Sequence, residues 1–367
     1  MSFIPLMQPS ILDDDIEAVT KVLKSGMLIQ GKEVEFLESA FSNYNSVSNA
    51  IALSNGTATL HLALSALGVG EGDEVIVPAF SYIATANVVE LVGAIPVFVD
   101  INIGTFNIDV NKIEAAITPK TKVIMPVHEF GLVADMDQIM QIAKAHNLFV
   151  IEDAACALGS KHNNKFAGTW GDFGSFSLHP RKAITSGEGG VLITSNDSLA
   201  RQIKIKRNHG VEIVEGKMEF VDVGYNYRMT DFQAALVNSQ FKRLDHGIKY
   251  KQSLAQIYFN EIKSPKVRLP FVPSGKYHTW QTFHVLLDDS LDRDEVILKL
   301  REAGIGTNYG AQCMPFMKYY QQKYKLNCEH LYPEALRAFK QGLALPLYEK
   351  LTEIDIKKVC DVLNKIL

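Results

Sequence analysis

Lys182 and Asp153 are the residues whose types and surroundings in this chain could do chemistry together. Lys182 lies in the run Ser177-Leu178-His179-Pro180-Arg181-Lys182-Ala183-Ile184-Thr185-Ser186-Gly187-Glu188-Gly189-Gly190, 29 positions after Asp153 of Val150-Ile151-Glu152-Asp153-Ala154-Ala155. An apolar run ending in a carboxylate reads as a buried strand that delivers an acid to its tip. A second apolar run then ends near a single lysine followed by glycines. Pyridoxal phosphate chemistry requires such a pair: a lysine forms an imine with the cofactor aldehyde, and a carboxylate keeps the ring nitrogen protonated so that the ring accepts electrons.

Four further segments are consistent with that chemistry. Leu53-Ser54-Asn55-Gly56-Thr57-Ala58-Thr59-Leu60-His61 is a small, glycine-containing turn opening a helix. Its free N–H groups and the positive end of the helix dipole suit a phosphate. Pro78 to Asn87 follows a strand and carries Phe80 and Tyr82, either of which could stack on a flat heterocycle. Asp153 itself, at a strand tip, is costly unless paired, and a protonated pyridinium is a natural partner. Gly224-Tyr225-Asn226-Tyr227-Arg228-Met229-Thr230-Asp231 is a polar turn before a helix that Thr230 or Asp231 could cap, leaving Asn226 and Arg228 unexplained. Taken singly, each has a plain structural explanation: a solvated loop lysine, an N-cap, a packed aromatic.

The elements that must position these residues follow from hydrophobic patterning. Val75–Val77, Pro96–Val99, Val123–Val127 and Leu148–Ile151 are short runs of continuous apolar character, as in strands buried on both faces of a mainly parallel sheet. Thr57 to Leu67 and Asp135 to His146 read as helices between them, and Phe173 to Leu178 and Gly190 to Thr194 as strands around the lysine loop. A helix starting near Asp231 is expected to run to Ile257. Prolines 265, 270 and 273 then punctuate a connector, Phe283–Leu287 reads as a strand and Asp292 to Ala303 as a helix. The expected division is a large domain, 1–245, and a small C-terminal domain, 246–367.

Bulk properties bound the function. A chain of 367 residues can bury a sizeable core, and 47% hydrophobic with 21% charged residues is ordinary for a globular protein. A formal net charge of −4 offers no basic footprint for nucleic acid, so small-molecule or protein partners are expected. No signal-like leader and no apolar run near the roughly 20 residues of a membrane span are visible, so a cytoplasmic location is expected. Cys156, Cys313, Cys328 and Cys360 are scattered without metal-ligand spacing and read as reduced thiols, with Cys156 close enough to Asp153 to face the site.

With these residues in hand, the chain resembles the DegT/StrS-type sugar-nucleotide aminotransferases, a group of fold-type-I pyridoxal phosphate enzymes. The resemblance runs from Ser25-Gly26-Met27-Leu28-Ile29-Gln30-Gly31 to Leu345-Pro346-Leu347-Tyr348. It implies an α/β fold like that of aspartate aminotransferase, with a mainly parallel sheet flanked by helices and a smaller α+β C-terminal domain. It implies that Lys182 carries the cofactor and shuttles a proton, Asp153 pairs with the ring nitrogen, Tyr82 stacks on the ring, and Gly56, Thr57 and Ser177 hold the phosphate. Asn226 is implied to reach the neighbouring subunit's site, hence a homodimer. At Cys156 many relatives carry Gln or His against the ring hydroxyl, and cysteine is a weaker donor. Substrate contacts are expected from Met27, Leu28, His179, Glu188, Arg228 and Tyr309.

The implied reaction is ping-pong transfer of an amino group from an amino acid, by resemblance glutamate, to a nucleotide-linked keto sugar. The Thr185-Ser186-Gly187-Glu188-Gly189-Gly190 ending is similar to members that aminate C4 of a 4-keto-6-deoxy sugar, and Lys182 separates the chain from dehydrating members that carry histidine there. Once freed from the cofactor, Lys182 is expected to have its ammonium lowered by partial burial and the nearby cation. Alternatives are C3 or cyclitol amination, a cofactor-binding regulatory protein without turnover, and an α/β binding protein without cofactor.

Overall fold

The computed structural model of the chain describes residues 3–367. Seven strands, β1 (Asn49–Leu53), β2 (Glu74–Pro78), β3 (Ile95–Val99), β4 (Thr121–Ile124), β5 (Phe149–Asp153), β6 (Phe173–Ser177) and β7 (Gly190–Thr194), form the central sheet in the order β1-β7-β6-β5-β4-β2-β3. All neighbours pair parallel except β7, which is antiparallel to both β1 and β6. The continuous apolar runs are explained by helices on both faces. Because successive side chains of a strand point to opposite sides, Ile51, Leu53, Val75, Val77, Val123 and Ile151 enter one core, while Ala50, Ala52, Ile76, Ile124 and Val150 enter the other.

The helices are α1 (Asp13–Ser25), α2 (Lys32–Asn45), α3 (Gly56–Ala66), α4 (Ala84–Leu91), α5 (Met136–His146), α6 (Asp197–Arg207), α7 (Asp231–Phe241) and α8 (Leu244–Glu261). Buried residues of α3 and α4 line the first core, and those of α2, α5 and α7 the second. The single helix expected from Asp231 to Ile257 is two helices. Arg243 leaves helical geometry at φ −114°, ψ 9°, and its guanidinium bonds both carboxylate oxygens of Asp15 at 2.9 and 2.6 Å and the Ser10 carbonyl at 2.9 Å. That contact, from the opposite end of the chain, fixes the break without a glycine or proline.

A third core joins Leu254, Ala255 and Tyr258 of α8, the antiparallel strands Val267–Arg268, Phe283–Leu287 and Gly342–Leu345, and the C-terminal helix Glu353–Ile366. Leu244 and Ile248 of α8 still belong to the second core, so the chain passes from one core to the other within that helix. Residues Ala311, Cys313, Tyr320 and Leu336 return to the first core, and Gln312–Cys313 pairs antiparallel with Phe80–Ser81. A hairpin of Val211–Val214 and Lys217–Phe220, absent from the expected elements, turns at Glu215–Gly216 with φ 51° and 79°. The Glu-Gly pair is its sequence signal.

Candidate active site

The site forms where the parallel strands end. Asp153, the last residue of β5, is 5% exposed. Its Oδ2 accepts from the Thr85 hydroxyl at 2.8 Å and its Oδ1 from the Ala155 amide at 3.2 Å. Burial pushes the Asp153 carboxyl up, against the hydrogen bonds from Thr85 and Ala155 and the charge of Lys182. The neighbouring Glu152 points the other way and is saturated. It accepts from the amides of Gly168, Trp170 and Gly171 at 2.8, 2.6 and 2.9 Å and pairs with His128 Nε2 at 2.8 Å. The Ala134 amide donates to His128 Nδ1 at 3.1 Å, so the ring proton sits on Nε2 and is donated to Glu152.

Lys182 is carried on a closed loop between β6 and β7. The Leu178 amide donates to the Gly189 carbonyl at 2.8 Å and the Ser186 amide to the Leu178 carbonyl at 3.0 Å. Gln240 of α7 clasps both backbone groups of Thr185, at 3.0 and 2.7 Å. The Lys182 amide donates to the His179 carbonyl at 2.8 Å, and Lys182 Nζ donates to Cys156 Sγ at 3.1 Å. Burial presses the Lys182 ammonium down, but Cys156, Asp153 and Glu129 outweigh it and hold it above its ordinary value. Acids, not a cation, surround the free side chain, and the expected lowering belongs to the lysine displaced beside the cofactor's cationic ring. Burial pushes the Cys156 thiol up, so it meets Lys182 as a neutral sulfur acceptor.

Gly56 and Thr57 open α3, whose N-cap Asn55 accepts from the Ala58 amide at 2.8 Å. The first-turn amides of a helix have no intrahelical partner. A Cβ on Gly56 would lie 3.0 Å from Ser177 Cβ, so Ser177 stands against this helix start. A Cβ on Gly190 would come within 2.7 Å of the Asn55 backbone, so the glycines after the lysine loop are what let β7 approach it. Of the two aromatic candidates, Phe80 is fully buried against Phe106 and Phe130, whereas Tyr82 is 66% exposed and free to cover a ring.

The other expected residues surround this centre unevenly. Asn226 is exposed and bridges backbone-to-backbone with Asn208, whose side chain accepts from Arg228 Nη1 at 2.5 Å. Met27 and Leu28 are exposed on the α1–α2 connection, which α7 anchors through Asp231. Asp231 does not cap its own helix. Its carboxylate accepts from the amides of Gly31, Glu33 and Val34 at 2.7, 3.3 and 3.2 Å, capping α2, while Thr230 holds the N-cap position of α7. Burial pushes His179 down, and Glu188 is exposed beside the loop. Tyr309 accepts from Gln312 Nε2 at 3.4 Å, three residues before the strand Gln312–Cys313 that pairs with Phe80–Ser81, and its ring meets Phe339.

Sequence reasoning missed Thr85, Ser81 and Glu129. The signal for Glu129 was the one applied to Asp153, an acid just past an apolar strand. Thr85 gave none, because its bond to Asp153 crosses 68 residues.

These groups fit pyridoxal phosphate. A helix start with Gly56, Thr57 and Ser177 suits its phosphate, the buried Asp153 suits a ring cation, and the Lys182 amine suits its aldehyde. Comparison with known proteins agrees. A model of the DegT/DnrJ/EryC1/StrS aminotransferase family matches residues 9–364. The GDP-perosamine synthase of Caulobacter vibrioides is 42% identical over 91% of this chain and 90% of its own. That of Escherichia coli O157:H7 is 37% identical over 100% of this chain and 99% of its own. A Streptococcus pneumoniae sugar aminotransferase solved in its PMP-form superposes with a TM-score of 0.94 at 29% identity, covering 99% of this chain and 97% of that one. The chain belongs to the DegT/DnrJ/EryC1/StrS aminotransferase family and is a pyridoxal-phosphate-dependent sugar aminotransferase.

Proposed function

We propose that the chain moves an amino group from L-glutamate to C4 of a nucleotide-linked 4-keto-6-deoxyhexose, in the synthesis of an amino sugar for a surface glycan such as a lipopolysaccharide O-antigen. The observation that carries this reading is the Lys182 amine held among buried acids at the strand ends, with Asp153 beside it. The relatives' names, with a GDP-linked amino sugar as product, and the Thr185–Gly190 ending support the substrate class.

In this reading Gly56, Thr57 and Ser177 hold the phosphate and Tyr82 covers one ring face, excluding water. Cys156 would face the ring hydroxyl. Pyridoxal phosphate supplies an electron sink for the carbanion left when the donor's Cα loses its proton. Asp153 holds a proton at the ring nitrogen, its carboxylate stabilised there by the charge it faces. Lys182 would hold the cofactor through its aldehyde, and its amine, once freed, would take up and hand back the proton of the donor's Cα. Its ammonium is favoured by the Asp153 carboxylate before the cofactor arrives; a ring cation would reduce that bias and free the amine.

Met27, Leu28, His179, Glu188, Arg228 and Tyr309 are the proposed substrate contacts. Asn226, exposed in the single chain, is proposed to serve the site of a second subunit in a homodimer. The domain division is proposed at 1–245 and 246–367. No helix is long and apolar enough to cross a membrane among the described residues.

The test is a pair of half-reactions. L-glutamate should convert the cofactor to its amine form, and a nucleotide-linked 4-keto-6-deoxyhexose should convert it back with an amine at C4 of the product. Conversion by a 3-keto sugar alone would overturn the C4 assignment, and no half-reaction with any donor would favour a regulatory protein.

A further inference from the structure

We propose that Glu129 is a positioning residue for Lys182, a second carboxyl of the site that sets how readily the lysine amine gives up its proton. The inference rests on the reading of Lys182 as the cofactor lysine. Glu129 is 4% exposed and follows His128, whose amide donates to the Asp153 carbonyl at 3.0 Å, so the two acids stand at the same level of neighbouring strand ends. Its backbone is fixed. The Glu129 amide donates to Asn107 Oδ1 at 2.8 Å. The next residue, Phe130, is held at φ 55° against the rings of Phe80, Phe106 and His284.

The Glu129 carboxyl is buried beside a hydroxyl and faces one cation. Ser81 and Lys182 favour its ionised form and Asp153 opposes it. The Ser81 and Thr85 hydroxyls lie 3.1 Å apart, and Thr85 donates to Asp153 Oδ2 at 2.8 Å. Ser81 and Thr85 therefore link the surroundings of Glu129 to Asp153, while Lys182 donates to the Cys156 sulfur and is drawn by Asp153 and Glu129. Burying a carboxyl with so little compensation costs stability, and a neutral side chain in its place costs less.

Burial pushes Glu129 up to about 8, against the pull of Lys182 and Ser81. Below that pH the group carries its proton, and Lys182 faces the single carboxylate of Asp153. Above it the proton leaves to solvent, a second carboxylate appears, and the ammonium is favoured over the neutral amine that must attack the cofactor aldehyde. A neighbouring carboxylate lowers the neutral fraction of an amine about tenfold.

The test follows loading of cofactor-free enzyme with pyridoxal phosphate, by the absorbance of the lysine-bound cofactor, from about pH 6 to about pH 10. The ratio of the Glu129→Gln rate to the wild-type rate should be about one at the acid end and about tenfold at the alkaline end. Glu129→Asp should restore the pH-dependent profile. A ratio that stays flat, with the cofactor attached at Lys182, overturns this inference and leaves the reading of the site standing. Attachment at another lysine overturns both. If Glu129→Gln does not fold, Ser81→Ala takes its place. Removing a hydroxyl that favours the ionised carboxylate should move the midpoint of the wild-type profile to higher pH, and an unmoved midpoint overturns the inference.

Discussion

Glu152 and Asp153 are adjacent carboxylates given opposite tasks by the two-residue alternation of a strand. Glu152 is saturated by three amides and His128 and has nothing left for a ligand, whereas Asp153 receives one hydroxyl and one amide and faces the lysine. Asp153→Asn, which keeps the shape and removes the charge, should lower turnover roughly a hundredfold or more while Glu152 goes on holding the loop. Steady-state kinetics and an unchanged melting temperature would check it. Glu129 makes a prediction of opposite sense. Its carboxyl titrates higher in the folded protein, at about 8, than in an unfolded chain, at about 4.3. Between those values the native state holds the extra proton, so stability falls as pH rises through the window. Glu129→Gln should therefore raise the melting temperature more at the alkaline end of that window than at its acid end. An equal shift at both would contradict the assignment.

The elements are joined by side chains that reach across the chain, and their loss should be measurable. Asp231 caps α2 through three amides, so Asp231→Ala should cost about 1–2 kcal/mol in urea unfolding, and no loss would contradict the capping role. His284, on the strand Phe283–Leu287, stacks on Phe130 at 4.4 Å and ties the small sheet to the β4 loop. Burial pushes it down to about 3, so only the unfolded chain binds its proton between there and about 6.5. Stability from this group is complete above that window and is lost as pH falls through it. His284→Gln should flatten the acid limb of stability against pH by about 1.4 kcal/mol per pH unit. Six of the seven core strands and the lysine loop were legible because continuous apolar runs and catalytic residue types are local signals, whereas β1 was not among the expected strands. Arg243's break in the helix and Asp231's true partner were not, because Asp15 and Gly31 lie 228 and 200 residues away. Nor could local pattern separate Phe80, which is core, from Tyr82, which is open.

At the scale of the molecule, the single chain leaves Met27, Ile29, Phe36, Ile213, Met218, Phe220 and Val223 more than half exposed. Such apolar residues mark interaction surfaces when they gather, and they support the proposed homodimer with Asn226 serving its partner's site. Mixing Lys182→Ala and Asn226→Ala subunits, each inactive alone, should restore about a quarter of wild-type turnover. Random pairing makes half the dimers mixed, and each of those has one intact site of two. No recovery would place Asn226 in its own subunit's site. The central claim is narrower, that one amine carries the cofactor, and borohydride reduction of the loaded enzyme followed by peptide mapping tests it most directly. The pyridoxyl group should be found on Lys182. Finding it on another lysine, or on none, would contradict the account.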